Sequence, residues 1–427
     1  MMRRRWSRGG LLSLALAGSL VGCRSVSTAE PVPPQGWPSL PPPAPPSLTL
    51  NLAECLAEAV ERQPRVAAAR AGLAAAEDGR RALEDLPFPA SLAREVPIRR
   101  KQAALGVSAA AAGLEQAERE TAYAVTRTWF TVVYAREQER LAGTVVERLT
   151  TVQQAAQDAL EAGARDVTAA DVQRTSVYLQ LAEAKRTQAA QGVKRARAAL
   201  AEAVGFDPDV SLDVPPGRLP EPGVRPVRDE VVSAALARRG ELVQAGVLAQ
   251  VVCLEVEAQG TSVHPRMQTF AAGADVHAAA VPQAVRNTEY RPGAVPPQMP
   301  TLLVGSRPGR VKQAQDLSAR AEAVLAATRS LVALEAADAF LRWQEAEQQA
   351  RQAHKAAEVG EKLADDLGKD FRAGLKVRVE EVVSARVLAA EARSQYNESL
   401  YRQIIALADL ERVTAGAFRA GLVEGPR

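Results

Sequence analysis

The sequence predicts an all-α chain dominated by two copies of a long helical hairpin, with at most a small β segment at residues 260–308. Three observations carry this. Proline is missing from two long tracts, apolar residues recur there at helical steps, and the landmarks of one tract return in the other at matched spacing. Composition agrees, because only 4% of the 427 residues are aromatic while alanine, leucine, arginine and glutamate abound.

Residues 1–22 read as a signal peptide, with Arg3, Arg4, Arg5 and Arg8 ahead of an apolar run from Leu11 to Val21. That run is shorter than the roughly 17–25 residues a membrane-spanning helix needs. It ends in Leu20-Val21-Gly22-Cys23, which resembles the lipobox of bacterial lipoproteins and makes the Cys23 thiol the acceptor of a lipid such as palmitate. An ordinary signal peptide with an incidental cysteine is the alternative. Arg24 and Ser25 follow, not the aspartate that often holds lipoproteins at the inner membrane, so the resemblance implies the periplasmic face of the outer membrane. Cleavage would remove four of the 53 basic residues and leave 49 against 50 acidic ones, a net charge of −1. A nucleic-acid binder with a strongly basic surface is thereby excluded.

Residues 23–47 form a linker between lipid and folded body. Nine prolines fall between Pro31 and Pro46, a composition that favours extended polyproline II and builds no core. The remaining prolines avoid Ile98–Asp207 and Gly309–Gly425 altogether. Since proline costs a helix interior roughly 3 kcal/mol, these tracts are where long helices run. Val145, Leu149, Val152, Ala156 and Leu160 recur at heptad-like steps, as do Ala385, Ala389, Ala392, Tyr396, Leu400, Ile404 and Leu407. Ala162-Gly163 and Ala373-Gly374 interrupt the two tracts, and glycine just past a helix supplies a left-handed cap. Thr168 is placed to cap the returning helix. Each tract is thus a hairpin with a long ascending arm and a shorter returning one.

The hairpins belong to a tandem repeat. Gly163 precedes Gly205 by 42 residues, and Gly374 precedes Gly416 by 42; Trp129 and Phe340 each lie 34 residues before their turn glycine. A shorter helix stands upstream in each copy, about Leu52–Leu86 and Asp229–Gln259. Repeat 1 spans 48–206, a Pro/Gly-rich linker 207–226, repeat 2 227–416 and a C-terminal tail 417–427. The ascending arm from about Ala104 to Glu161 reaches ~87 Å and the returning helix ~55 Å, so one long helix can be flanked by two shorter ones stacked end to end. Two such hairpins do not close a wide cylinder, which calls for oligomerisation.

The duplicated unit, the segment Asn51-Leu52-Ala53-Glu54-Cys55-Leu56-Ala57-Glu58-Ala59-Val60-Glu61-Arg62-Gln63-Pro64 and the glycine turns resemble the TolC-like outer-membrane efflux proteins over residues 48–416. The resemblance implies a homotrimer whose strands form a membrane barrel and whose helices form part of an oligomeric periplasmic tunnel. A periplasmic adaptor protein and an inner-membrane pump would dock at the helical tips. On this sequence the tips are Gly163 and Gly374, with Arg372 and Leu375 beside the second. Asp171, Glu380 and Glu381 are the counterparts of residues that narrow the pore; the alternative is that these acids only favour the start of the returning helices through the helix dipole. Aligning the two turn glycines puts Asp171 opposite Val382.

The chain departs from the family in its first connector, which is about 35 residues shorter than the second. Between Pro87 and Leu105 there is no room for two membrane strands, and Arg94, Glu95, Arg99, Arg100 and Lys101 make a poor lipid-facing surface. The second connector, Gly260–Pro308, has room for one hairpin, with Met267–Val281 as its candidate strand. A non-conducting, lipid-anchored periplasmic coiled-coil scaffold is therefore the competing reading. Enzymatic chemistry, a cofactor and a metal site are not expected. His264, His277 and His354 are scattered without ligand spacing, and no phosphate loop or paired nucleophile and base is present. Cys55 and Cys253 read as packed thiols.

Overall fold

Pro64 breaks the first predicted helix in two. The computed structural model describes residues 48–163, 167–207, 209–261, 265–270, 302–373, 375 and 377–422. Residues 1–22, read as a signal peptide, Cys23 and the segment 23–47 read as a linker lie outside them, as do Gly374 and residues 271–301 of the second connector. Within them the chain runs β1 (Leu48–Thr49), α1 (Leu52–Arg62), α2 (Pro64–Glu84), a 3-10 turn (Ala90–Leu92), α3 (Val96–Glu161) and α4 (Ala169–Val204). It continues as β2 (Leu212–Asp213), α5 (Arg228–Arg238), α6 (Gly240–Thr261), β3 (Arg266–Gln268), β4 (Leu302–Val304), α7 (Arg307–Arg372) and α8 (Val379–Val413).

The two upstream helices, expected as single rods, are each a broken pair. Pro64 disfavours a helical residue before it, and Gln63 is extended at φ −65°, ψ 121°. Arg239 takes nearly the same conformation, φ −64°, ψ 130°, without a proline to impose it. There Gly240 starts α6 so close to α3 that a Cβ would lie 2.8 Å from the Ala112 carbonyl oxygen. The ascending arm also begins earlier than expected, at Val96. Pro97 falls in its first turn, where no backbone N–H is required. The basic run that follows is helical: Arg100 donates to the Leu83 and Glu84 carbonyls at the end of α2, and Arg99 pairs with the fully buried Glu255 of α6.

The helix lengths disclose the duplication. Repeat 1 has helices of 11, 21, 66 and 36 residues, and repeat 2 has 11, 22, 66 and 35. Each long helix is therefore ~99 Å, and the two shorter helices beside it sum to ~86 Å. They stack end to end. The Gln63 amide caps the last turn of α4, donating to the Glu202 and Ala203 carbonyls at 2.6 and 2.7 Å. Gly205 closes α4 at φ +92°, where a Cβ would strike Arg62 at 2.9 Å. Glycine is thus required at that joint on two counts.

α3 packs α2 and α4 on one flank and α6 and α8 on the other, and α7 packs against the far side of α6 and α8. The result is a wall four helical strands wide. Small residues set the spacing of its seams. Ala346, Ala350, Ala357, Gly360, Ala364 and Gly368 line the buried face of α7, and a Cβ on Gly360 would lie 3.2 Å from Ala389 Cα of α8. Larger side chains fill the core where α1 and α5 cover the wall. Cys55, Ala59, Phe130, Leu200 and Val204 of the first copy pack together with Ile404 of α8; Val231, Ala235, Val332, Trp343, Leu407 and Leu410 do so within the second copy. Burial pushes the Cys55 thiol up to about 12, as expected of a packed cysteine, whereas Cys253 is exposed.

Strand structure among the described residues is confined to two two-stranded ladders. β1 pairs in parallel with β2, and β3 pairs antiparallel with β4 at the foot of the second connector. The candidate strand Met267–Val281 thus pairs over its first two residues, and from 271 onward it lies outside the described residues. No described helix is long and apolar enough to cross a membrane.

Charge is buried where the break between α5 and α6 meets α7 and the last turn of α8. Arg412 pairs with Glu335 at 2.7 Å, Glu120 at 3.1 Å and Asp409 at 2.8 Å, while Arg239 reaches the other Glu335 oxygen at 2.9 Å and binds Glu241. Burial opposes the Arg412 charge, but Asp409, Glu335 and Glu120 together hold its pKa above the ordinary arginine value.

Candidate functional site

The end of the wall where both hairpins turn carries most of the residues singled out from the sequence. In the first turn α3 ends at Glu161 and Gly163 adopts φ +74°. Val167 then turns inward to join Val146, Leu149, Leu179, Val379 and Val383 in one apolar cluster. That cluster joins α3, α4 and α8, so the two turns are built as one unit.

Thr168 and Asp171 form a reciprocal cap on α4. The Asp171 amide donates to the Thr168 hydroxyl at 3.3 Å, and the Thr168 amide and hydroxyl donate to the Asp171 carboxylate at 3.0 and 2.7 Å. These hydrogen bonds, with help from Arg174 and Arg378, hold the Asp171 carboxyl below its ordinary value. A group depressed on folding stabilises above its unfolded pKa, near 3.9, and loses that contribution as pH falls through its lower folded value. Amide exchange in the first turn of α4 is therefore expected to accelerate as pH falls below about 4, after correction for intrinsic rates. Thr168→Ala removes a cap worth about 1 kcal/mol and should flatten that pH dependence. Exchange that stays equally pH-dependent in the variant would show that the cap is not its source.

In the second turn α7 ends at Arg372, whose Nε donates to the Gly368 carbonyl at 3.0 Å and leaves the side chain exposed. Leu375 is 58% exposed, and its amide donates to the Asp370 carbonyl at 3.0 Å. The Arg378 amide donates to Glu381 at 3.1 Å, as the Thr168 amide does to Asp171, but the arginine side chain has no acceptor to complete a reciprocal cap. Asp171 and Glu381 are each the third residue of their helices, which corrects the register read from the glycines. The first turn, 162–168, is one residue longer than the second, 373–378, so glycine alignment misplaces the helix starts by one. Glu380 has a different partner, Arg174 of α4, at 2.7 Å. Sequence reading missed Arg174; its place three residues past Asp171, on the same helical face, was the available clue.

Two further sets of residues escaped the sequence. The wall ends in unpartnered edges, α4 on one side and α7 on the other. Val177 and Leu181 stand on α4, both 59% exposed; Val359 and Leu363 stand on α7 at 69% and 44%. The α4 pair lies ~12–18 Å from the tip end of its helix and the α7 pair ~14–20 Å, so the two apolar patches share one height on opposite edges.

No family model matches the sequence, and no curated protein matches it. Solved structures do. The outer-membrane channel OprN aligns with a TM-score of 0.67 at 16% identity, covering 86% of this chain and 90% of that one. The chain has the TolC-like fold. The open state of the Neisseria gonorrhoeae MtrE outer membrane channel aligns at 0.63 and 15% identity, over 87% of this chain and 90% of that one. VceC from Vibrio cholerae, an outer membrane protein, aligns at 0.65 and 14% identity, over 86% and 97%. At such identities the likeness carries the fold: duplicated long helical hairpins in the TolC-like arrangement.

Proposed function

We propose that this chain is a component of an outer-membrane efflux or export channel, a homotrimer whose helices form a periplasmic tunnel. The observation that carries the reading is the wall with two open edges, bearing apolar patches at one height. Three copies of a four-strand wall make twelve helical strands, and joining α4 of one copy to α7 of the next covers Val177 and Leu181 with Val359 and Leu363. Structural likeness to channels such as OprN and MtrE supports the same assignment. Gly163, Arg372, Gly374 and Leu375 would meet a periplasmic adaptor coupled to an inner-membrane pump. Asp171, Glu380 and Glu381 would ring the tunnel mouth, with Glu380 released from Arg174 or held by it. A lipid on Cys23 would anchor the assembly at the periplasmic face of the outer membrane.

Deletion of the gene is expected to sensitise cells to the cargo of the pump. The intact chain should restore resistance, and Leu375→Asp with Arg372→Glu should not, although it still assembles. The second reading, a scaffold that conducts nothing, draws support from the eleven-residue link between α2 and α3, too short for a strand pair that crosses a bilayer. It predicts no sensitisation on deletion.

A further inference from the structure

The end of the wall remote from the tips carries an apolar feature that the tunnel reading leaves unused. Residues 85–95 link α2 to α3 through the 3-10 turn Ala90–Leu92. Phe88 is 80% exposed and Leu92 69%, as conspicuous as any large apolar side chains of the described chain. They sit on a built platform. The Ser91, Leu92 and Ala93 amides donate to the Pro87, Pro89 and Ala90 carbonyls, and Arg100 clamps the last carbonyls of α2. Next to it Arg99 donates to the Gln268 carbonyl, and Ile98 packs on Met267, which joins this turn to the β3–β4 ladder. The outward residues of β4, Leu302 and Val304, are 40% and 51% exposed.

Positive charge surrounds this apolar surface. Arg80 and Arg81 are neutralised by Glu84 and Asp78, and Arg99 by Glu255. Among the described residues at this end Arg94, Arg100, Lys101 and Arg307 have no carboxylate partner, against Asp85, Glu95 and Glu257 without a cation, which leaves a surplus of one positive charge. Exposed aromatic and aliphatic side chains rimmed by arginine and lysine are the chemistry of a membrane interface: the apolar groups enter the acyl boundary and the cations meet phosphates.

We propose that residues 86–94 form an interfacial foot that seats Phe88 and Leu92 in an anionic phospholipid surface. The foot stands where a spanning strand pair would otherwise leave the wall, and it gives each copy a shallow contact with the bilayer independent of any lipid on Cys23. That this end faces the membrane rests on the channel reading above.

The test uses the full chain carrying Cys23→Ala, so that no acyl group contributes, and vesicles of phosphatidylethanolamine with phosphatidylglycerol. The parent should float with these vesicles and not with phosphatidylcholine alone. Phe88→Ser with Leu92→Ser should lower the bound fraction at least about tenfold, and Arg94→Glu with Lys101→Glu should weaken binding most at low salt. Both pairs lie on the surface, and an unchanged helical spectrum and oligomeric state would show that the variants fold. In Phe88→Trp, lipids brominated near the headgroup should quench the new indole. A parent that does not float overturns the foot, as does a serine variant that floats equally. So does an indole whose emission shifts on self-association in the absence of lipid, since a second copy would then cover the turn. The two proposals fail separately. Sensitisation on deletion with flotation indifferent to Phe88 and Leu92 leaves a channel without the foot, and the converse leaves the foot without the channel.

Discussion

Replacing Val359 and Leu363 together by aspartate should yield a folded chain that no longer closes into a trimer. Each side chain is worth ~1.5–3 kcal/mol when fully covered, so losing the pair weakens each contact between copies roughly a hundredfold or more. The aspartates add a desolvation cost against Val177 and Leu181 of the neighbouring copy. Both positions are exposed in the single chain, so the helical signal and thermal midpoint of the monomer should change little. Sedimentation in detergent reads the outcome. Val177→Lys with Leu181→Lys should break the assembly in the same way, and combining the two pairs should restore part of it by bringing opposite charges together. A trimer indifferent to both pairs would mean that the wall closes through other residues, and the proposed joint of α4 to α7 would fall.

The second large effect lies in the buried ion network. Glu335 is 5% exposed and serves two guanidinium groups at once, those of Arg239 and Arg412. Glu335→Ala leaves both cations short of a partner in a site closed to solvent, and removing one partner of a buried pair costs about 3–5 kcal/mol. Chemical denaturation should show that loss as a lower midpoint at unchanged slope. Glu335→Leu with Arg412→Met, which removes both ends of one pair, should recover part of the stability, although Arg239 keeps only Glu241 and the carboxylates of Glu120 and Asp409 lose Arg412. If Glu335→Ala costs less than about 1 kcal/mol, the network is solvated and does not tie the α5–α6 break and the end of α8 to α7.

Much of this architecture was legible because it is written in local rules. Proline exclusion fixed where the 66-residue helices run, and glycine fixed where they turn, since Gly163 and Gly205 take backbone conformations that other residues adopt only under strain. The short break at Gln63-Pro64 is equally local, since proline leaves the residue before it little choice. The break at Arg239-Gly240 was not local. Nothing near it forbids a helix; a close approach to Ala112 and a buried pairing with Glu335 decide it, and both partners are far away in sequence.

The tip residues divide in the same way. Capping by Thr168 and Asp171 follows from a three-residue spacing that any reading of the chain can find. The partnership of Glu380 with Arg174 spans two repeats, and the one-residue difference between the turns becomes visible only when both helix starts are placed.

The sequence by itself determined that this protein is a duplicated pair of long helical hairpins, because helix propagation and termination depend on residues within a turn or two of each other. Only the tertiary structure decided which faces stay uncovered: Val177 and Leu181 on one edge, Val359 and Leu363 on the other, Phe88 and Leu92 at the far end. Burial is a property of neighbours, and the neighbours of a helix side chain three turns from any cap are chosen by the packing of the whole wall.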